Sequence, residues 1–183
     1  LYAIGLVKMI ENKKGIYIFM IILGAFFHKT ILMGLIALFL NKKLNTIWVI
    51  GILAITMLIA ASGIINRLPI GLFALLGDQA GDKMEYYSIN GDATSMASML
   101  LATIRRLIWI VPLMVFEKRV EDKPQGYHLF FNLYLIGTVF YILCNGTILQ
   151  IIVSRALIYF NIMEMFLVPV AFTLLRPNYG KLI

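Results

Sequence analysis

His28, Lys29 and Thr30 stand in the middle of residues 15–40, a stretch that is otherwise apolar and has basic residues at both ends. An ionisable side chain in hydrocarbon costs about 2.5 to 3.5 kcal/mol on insertion scales, so two adjacent ones at that depth point to use. An imidazole, with an ordinary pKa of about 6.5, can serve as general base or donate a hydrogen bond to a leaving phosphate; the plainer reading is a satisfied packing histidine. Lys29 brings a second positive charge to the same place. Much later, Arg155 and Tyr159 lie four residues apart and share a helix face. A guanidinium with five fixed donors suits phosphate or carboxylate, and a phenol beside it can hold a sugar hydroxyl. Arg155 can equally snorkel to the interface with Tyr159 in the aromatic belt.

Arg105 and Arg106 interrupt a third apolar run. Consecutive helical positions point about 100° apart, so one of the two lines any cavity better than the other. Glu164 falls nine residues after Arg155, on the opposite side of an ideal helix, and shares a stripe with Asn161 and Val168. It is expected to make a structural hydrogen bond to a neighbouring helix, not to catalyse. Asp78, Asp82, Glu85 and Asp92, with Tyr86 and Tyr87, fill a polar stretch and offer the carboxylates and ring faces that sugar recognition uses, although solvated loop charge explains each residue singly. The two histidines are a hundred residues apart, and neither an Asp-x-Asp signature nor a Gly-rich phosphate loop occurs. No metal site and no cofactor is therefore expected.

The elements that must position these groups are apolar. Of the 183 residues, 61% are hydrophobic and 14% charged, and the mean hydropathy is +0.91, more than a water-soluble domain of this size can cover with polar surface. A polytopic, all-α transmembrane bundle is expected, in one domain over 1–183. The net charge of +7 sits in short runs between apolar segments, as in cytoplasmic loops, so nucleic acid is not the expected partner. Cys144 has no partner cysteine in the chain. The triplet Asn145-Gly146-Thr147 matches a glycosylation sequon but hugs an apolar segment.

A helix needs about 20 apolar residues to cross the hydrocarbon core, a length that 46–65, 97–116, 127–144 and 156–175 all reach. For 15–40 the choice is between one long tilted helix and two half-helices meeting at His28. Lys13 and Lys14 before it, and Lys42 and Lys43 after it, favour a re-entrant hairpin that returns both basic pairs to the cytoplasm. With 66–96 outside, ten basic residues lie inside (Lys8, Lys13, Lys14, Lys42, Lys43, Lys118, Arg119, Lys123, Arg176 and Lys181), against Arg67 and Lys83 outside. Arg67 to Leu76 is apolar enough to lie along the membrane surface. The first residue is Leu1, and Leu1 to Ile10 reads like the last half of a membrane helix, so the sequence reads as the C-terminal part of a longer chain.

Phe26-Phe27-His28-Lys29-Thr30 within paired short apolar runs, followed by Ser154-Arg155-Ala156-x-x-Tyr159-Phe160 and Pro169, resembles the C-terminal half of the EpsG family of bacterial exopolysaccharide polymerases. The acidic-tyrosine motif that the family carries further upstream is not in this sequence. The resemblance implies a GT-C-like membrane glycosyltransferase related to O-antigen polymerases. Such an enzyme joins oligosaccharide repeat units carried on undecaprenyl pyrophosphate, at the outer face of the bacterial cytoplasmic (inner) membrane. Its partners would be that lipid-linked oligosaccharide, membrane lipid and other polysaccharide-assembly proteins. On this reading His28 and Arg155 are catalytic, and Tyr159, Arg105, Arg106 and Lys29 bind substrate. A lipid-linked oligosaccharide transporter and a non-catalytic subunit of an envelope assembly complex are the competing expectations.

Overall fold

The computed structural model describes residues 1–67, 96–145, 147 and 150–173, with backbone alone at 66–67, 96–99 and 151–156. The acidic and aromatic residues expected in the external loop, the surface segment Arg67 to Leu76 beyond its first residue, and Arg176 and Lys181 lie outside the described residues. Within them every regular element is helical. The order is α1 (Tyr2–Ile10), α2 (Lys14–Ala25), a 3-10 helix (Lys29–Phe39), α3 (Thr46–Ala61), a 3-10 turn (Ile64–Arg67), α4 (Met96–Arg119), α5 (Tyr127–Cys144), α6 (Gln150–Asn161) and α7 (Met163–Thr173).

α1 buries Tyr2, Leu6 and Met9 along one stripe and stops where Asn12 takes a left-handed φ of 65°. The Lys13 amide then bonds back to the Lys8 carbonyl at 2.8 Å, the closure that lets a helix turn sharply. α2 follows at once and packs on α1, with Gly5 allowing the Tyr17 ring to approach to 3.1 Å of where a Cβ would stand.

Residues 15–40 form two arms, with the chain broken between Ala25 and Lys29 as the His28 break anticipates. The arms run antiparallel: Gly24 meets Ile31, and Gly34 meets Ile21. The second arm is a 3-10 helix of 11 residues, long for a conformation that usually runs three or four. Its sequence explains why it persists. With three residues per turn, Ile31, Gly34 and Ala37 stack on one face, and all three are buried. Tyr17 also donates a hydrogen bond from its hydroxyl to the Gly34 carbonyl. At 1.5 Å and about 2.0 Å rise per residue, the arms span roughly 18 and 22 Å, short of the ~30 Å hydrocarbon core.

Both ends of this hairpin return to one end of the molecule. The Ile10 side chain packs on Gly126, whose φ is 82°; the Asn132 amide donates to the Leu40 and Lys42 carbonyls at 2.6 and 2.7 Å; and Lys43 pairs with Glu117 at 3.5 Å. Lys8, Lys13, Lys43, Lys118 and Lys123 thereby gather at a single basic end, the grouping that the charge pattern predicts.

α5 is the central helix, buried on most of its circumference, with α3, α4, α6 and α7 around it. A helix apolar on all sides belongs in such a position. α3 is the converse: of its side chains only Val49 and Thr56 are buried, and Ile47, Trp48, Ile50, Ile55 and Leu58 are exposed. Exposed apolar surface on this scale suits hydrocarbon or a partner better than water.

Two expectations need correction. Among the described residues one helix, Tyr127–Cys144, is long and apolar enough to cross a membrane, not four. α3 is shorter than 46–65 because its helix ends at Ala61, and the interior of α4 carries Arg105 and Arg106 while its end carries Glu117, Lys118 and Arg119. The segment 156–175 is also not a single helix, since α6 stops at Asn161 and α7 begins at Met163.

Two outcomes follow from the hairpin. A Cβ at Gly34 would stand 2.6 Å from the Tyr2 ring and 3.1 Å from Ile21, so Gly34→Leu should lower stability by about 1–3 kcal/mol, read as the thermal unfolding midpoint in detergent. Single cysteines at Lys13 and Lys42, in a Cys144→Ser background, should react with an impermeant maleimide from the same side of sealed vesicles. Labelling from opposite sides would mean one continuous crossing.

Candidate functional site

The hairpin apex carries His28 in an extended conformation (φ −151°, ψ 108°), immediately ahead of the 3-10 helix. The Phe27 and His28 amides both bond to the Gly24 carbonyl, at 3.0 and 2.9 Å, which closes α2 and turns the chain. The imidazole Nδ1 lies 2.6 Å from the Thr30 hydroxyl, an interaction that orients the ring and leaves Nε2 directed to other partners. His28 and Lys29 are exposed, and Phe26 and Phe27 beside them are 84% and 81% exposed. The apex is therefore two cationic or proton-carrying groups framed by two bare aromatic rings.

The two arginines of α4 part company as their angular offset requires. Arg105 points outward, with a side chain 74% exposed, and pairs with Glu164 at 3.3 Å. Arg106 turns inward, where its Nη2 donates to Asn161 Oδ1 at 2.9 Å and its guanidinium carbon lies 4.2 Å from the Tyr141 ring centroid. Tyr134 donates its hydroxyl to the Arg106 carbonyl at 3.3 Å. Arg106 Nη1 is buried without a hydrogen-bond partner among the described residues. A guanidinium held by an amide and a ring face keeps hydrogen-bonding capacity at Nη1, the kind of donor that pairs with oxyanions.

The break between α6 and α7 serves this arrangement. It creates a helix N-terminus at Met163, with Glu164 in the first turn, where a carboxylate is favoured by the helix dipole. Asn161 and Glu164 then meet the two arginines from one short segment. Gly137 of α5 lets the Phe160 side chain come within 2.6 Å of where a Cβ would be, which fixes α6 against α5 at this level.

Tyr159 is partly buried, and its ring stands edge-on to Tyr2 at 5.2 Å and 75°. Since Tyr2 also packs on Gly34, Tyr159 belongs to the seam between α6 and the hairpin. Arg155 lies on α6 one turn before Tyr159, and its side chain is outside the described residues. No direct contact joins His28 to Arg105, Arg106 or Tyr159; Thr30 is its side-chain hydrogen-bond partner among the described residues. Arg106 is 11 residues, roughly 16 Å, along α4 from Glu117, and the apex is roughly 18 Å along α2 from the same basic end.

Asn161 and Tyr141, which complete the Arg106 site, were not singled out as site residues from sequence. Asn161 left a signal, as a polar member of the Glu164 stripe; Tyr141 left none beyond being one of nine tyrosines.

A helical protein with apolar outer surfaces and a guanidinium seated between its helices fits a membrane protein. The chain belongs to the EpsG family, whose family model matches residues 1–183. Neither a curated relative nor a solved structure matches it. Membership makes it a membrane-embedded protein of the exopolysaccharide polymerase type.

A buried arginine kept for stability and one kept for ligand respond differently to substitution. Arg106→Met removes a buried charge but leaves only the neutral Asn161 Oδ1 without its donor, so it should lower the unfolding midpoint less than a change that leaves the guanidinium itself unpaired. Asn161→Leu, which strips the guanidinium of its acceptor, should cost about 1–3 kcal/mol in the same measurement.

Proposed function

We propose that this protein is a metal-independent glycosyltransferase that polymerises oligosaccharide repeat units carried on undecaprenyl pyrophosphate, crossing the bacterial cytoplasmic membrane several times with its site facing outward. Family membership supports the class. The observation that carries the chemistry is Arg106, whose buried Nη1 has no hydrogen-bond acceptor among the described residues.

In the transfer, a hydroxyl oxygen of the acceptor sugar bonds to the anomeric carbon of the donor while the bond from that carbon to the pyrophosphate oxygen breaks. The electron pair stays with the pyrophosphate, and the hydroxyl proton goes to a base. Charge therefore grows on the leaving group, and preorganised guanidinium donors stabilise it most where water is scarce. Arg106 supplies such donors, and Arg105, Arg155 and Tyr159 are assigned to binding the same pyrophosphate, Arg155 and Tyr159 standing four residues apart on α6. His28 is the visible base: in the tautomer whose Nδ1–H donates to the Thr30 hydroxyl, Nε2 carries the lone pair that accepts the proton. Lys29 attracts the diphosphate to the apex.

Purified full-length protein supplied with lipid-linked repeat units tests this reading. A ladder of lengthening sugar chains is expected, whereas movement of substrate between leaflets without a ladder would identify a transporter, and neither result a scaffold. Arg155→Ala should abolish the ladder with membrane insertion intact, and Arg155→Lys should restore little, because a point charge does not reproduce the planar fork. Thr30→Val should slow polymerisation several-fold and displace its pH profile, with Thr30→Ser close to the parent.

A further inference from the structure

Arg105 and Glu164 form an ion pair whose two members are both accessible. Their side chains are 74% and 23% exposed, and Arg105 Nη2 donates to Glu164 Oε1 at 3.3 Å, while Oε2 accepts no hydrogen bond among the described residues. Exposed pairs of this kind are held weakly, so a charged ligand can take the place of either partner at little cost. The break between α6 and α7 puts Glu164 three residues after Asn161, and from that short segment Asn161 takes Arg106 and Glu164 takes Arg105. Glu164 also stands near enough to Arg106 and Tyr134 to act on both electrostatically. One carboxylate is thus set against two guanidiniums on consecutive residues, and the cluster stays net positive.

A diphosphate-bearing substrate gives this arrangement a use. In the donor both phosphates are esterified. When the bond to the anomeric carbon breaks, the terminal phosphate of the spent carrier becomes a monoester and gains a further ionisation, with a pKa of about 6. Guanidiniums that stabilise the charge growing on the leaving group therefore hold the product harder than they held the donor, and slow product release limits turnover. A carboxylate beside them opposes this in proportion to the charge on the ligand, so it weighs more on the product than on the donor. It also gives Arg105 a partner to return to.

We infer that Glu164 is an internal competitor for the diphosphate: it yields Arg105 when the donor binds and reclaims it as the more highly charged lipid pyrophosphate leaves. The inference takes its ligand from the polymerase reading and adds to that reading a residue that sets release. Glu164 touches neither the reacting carbon nor the transferred proton, so it is not a catalytic residue.

Isothermal titration of purified full-length protein with farnesyl pyrophosphate, whose terminal diphosphate matches the product, reads the competition without polymerisation. Glu164→Gln keeps the side-chain shape and removes the charge, and it should tighten binding about fivefold, the upper range for an exposed pair. Arg105→Gln should weaken binding by a similar factor. A pair kept for structure alone would move both variants in the same direction, since each loses the same contact. Glu164→Asp, which retains the charge, should bind as the parent does, and unfolding midpoints check that all three variants are folded. Farnesyl pyrophosphate capped by a single hexose models the donor and should respond to Glu164→Gln less than the uncapped probe. In the ladder assay Glu164→Gln should lower kcat without raising KM. Opposite shifts in a protein that makes no polymer would uphold the competition and overturn the polymerase reading. Shifts in the same direction, an equal response of capped and uncapped probes, or no binding of farnesyl pyrophosphate by the parent would overturn the competition, whether or not a ladder forms.

Discussion

The architecture depends on a helical hairpin whose arms are too short to cross a bilayer and whose two roots are fastened to the same end of the bundle. The fastening is specific. Asn132 spends both amide hydrogens on the carbonyls of Leu40 and Lys42, and Tyr17 ties the first arm to the second through the Gly34 carbonyl. Because backbone polar groups in hydrocarbon must be satisfied within protein, the irregular residues 26–28 are tolerable only at an apex that protein or a wet cavity serves. His28, the proposed base, occupies that apex.

Much of this was legible in the chain. Paired lysines on both sides of 15–40 and polar residues at its centre foretold a return to the same end, and the break falls at Phe26 to His28. The helix 127–144 has the same bounds in sequence and structure because it is apolar on every side and closed by Gly126 before it and Asn145 after it. The 3-10 form of the second arm was not anticipated, although Ile31, Gly34, Ala37 and Leu40 recur every third residue, a period that matches neither an α-helix nor a strand.

Other features leave no local trace. Nothing at Asn161 or Ile162 resembles a helix stop, and Pro169 lies well inside α7; the interruption is visible only through the arginines that meet Asn161 and Glu164 from α4. The opposite fates of Arg105 and Arg106 follow from the angle between them, but which one turns inward depends on where Tyr141 and Asn161 stand. Glu117, in the run Glu117-Lys118-Arg119, reads as ordinary solvated loop charge until Lys43, Lys123 and His128 converge on it from three separate places in the chain. Long-range encounters of this kind are set by packing and have no signature within a window of sequence.

A beam clamped at its base and free at its tip is displaced most at the tip. The hairpin is such a beam: its base is locked by Asn132, while Phe26, Phe27, His28 and Lys29 touch little. Displacement under load is therefore greatest at the imidazole and least at the anchored end, so the apex can shift while the bundle behind it keeps its place.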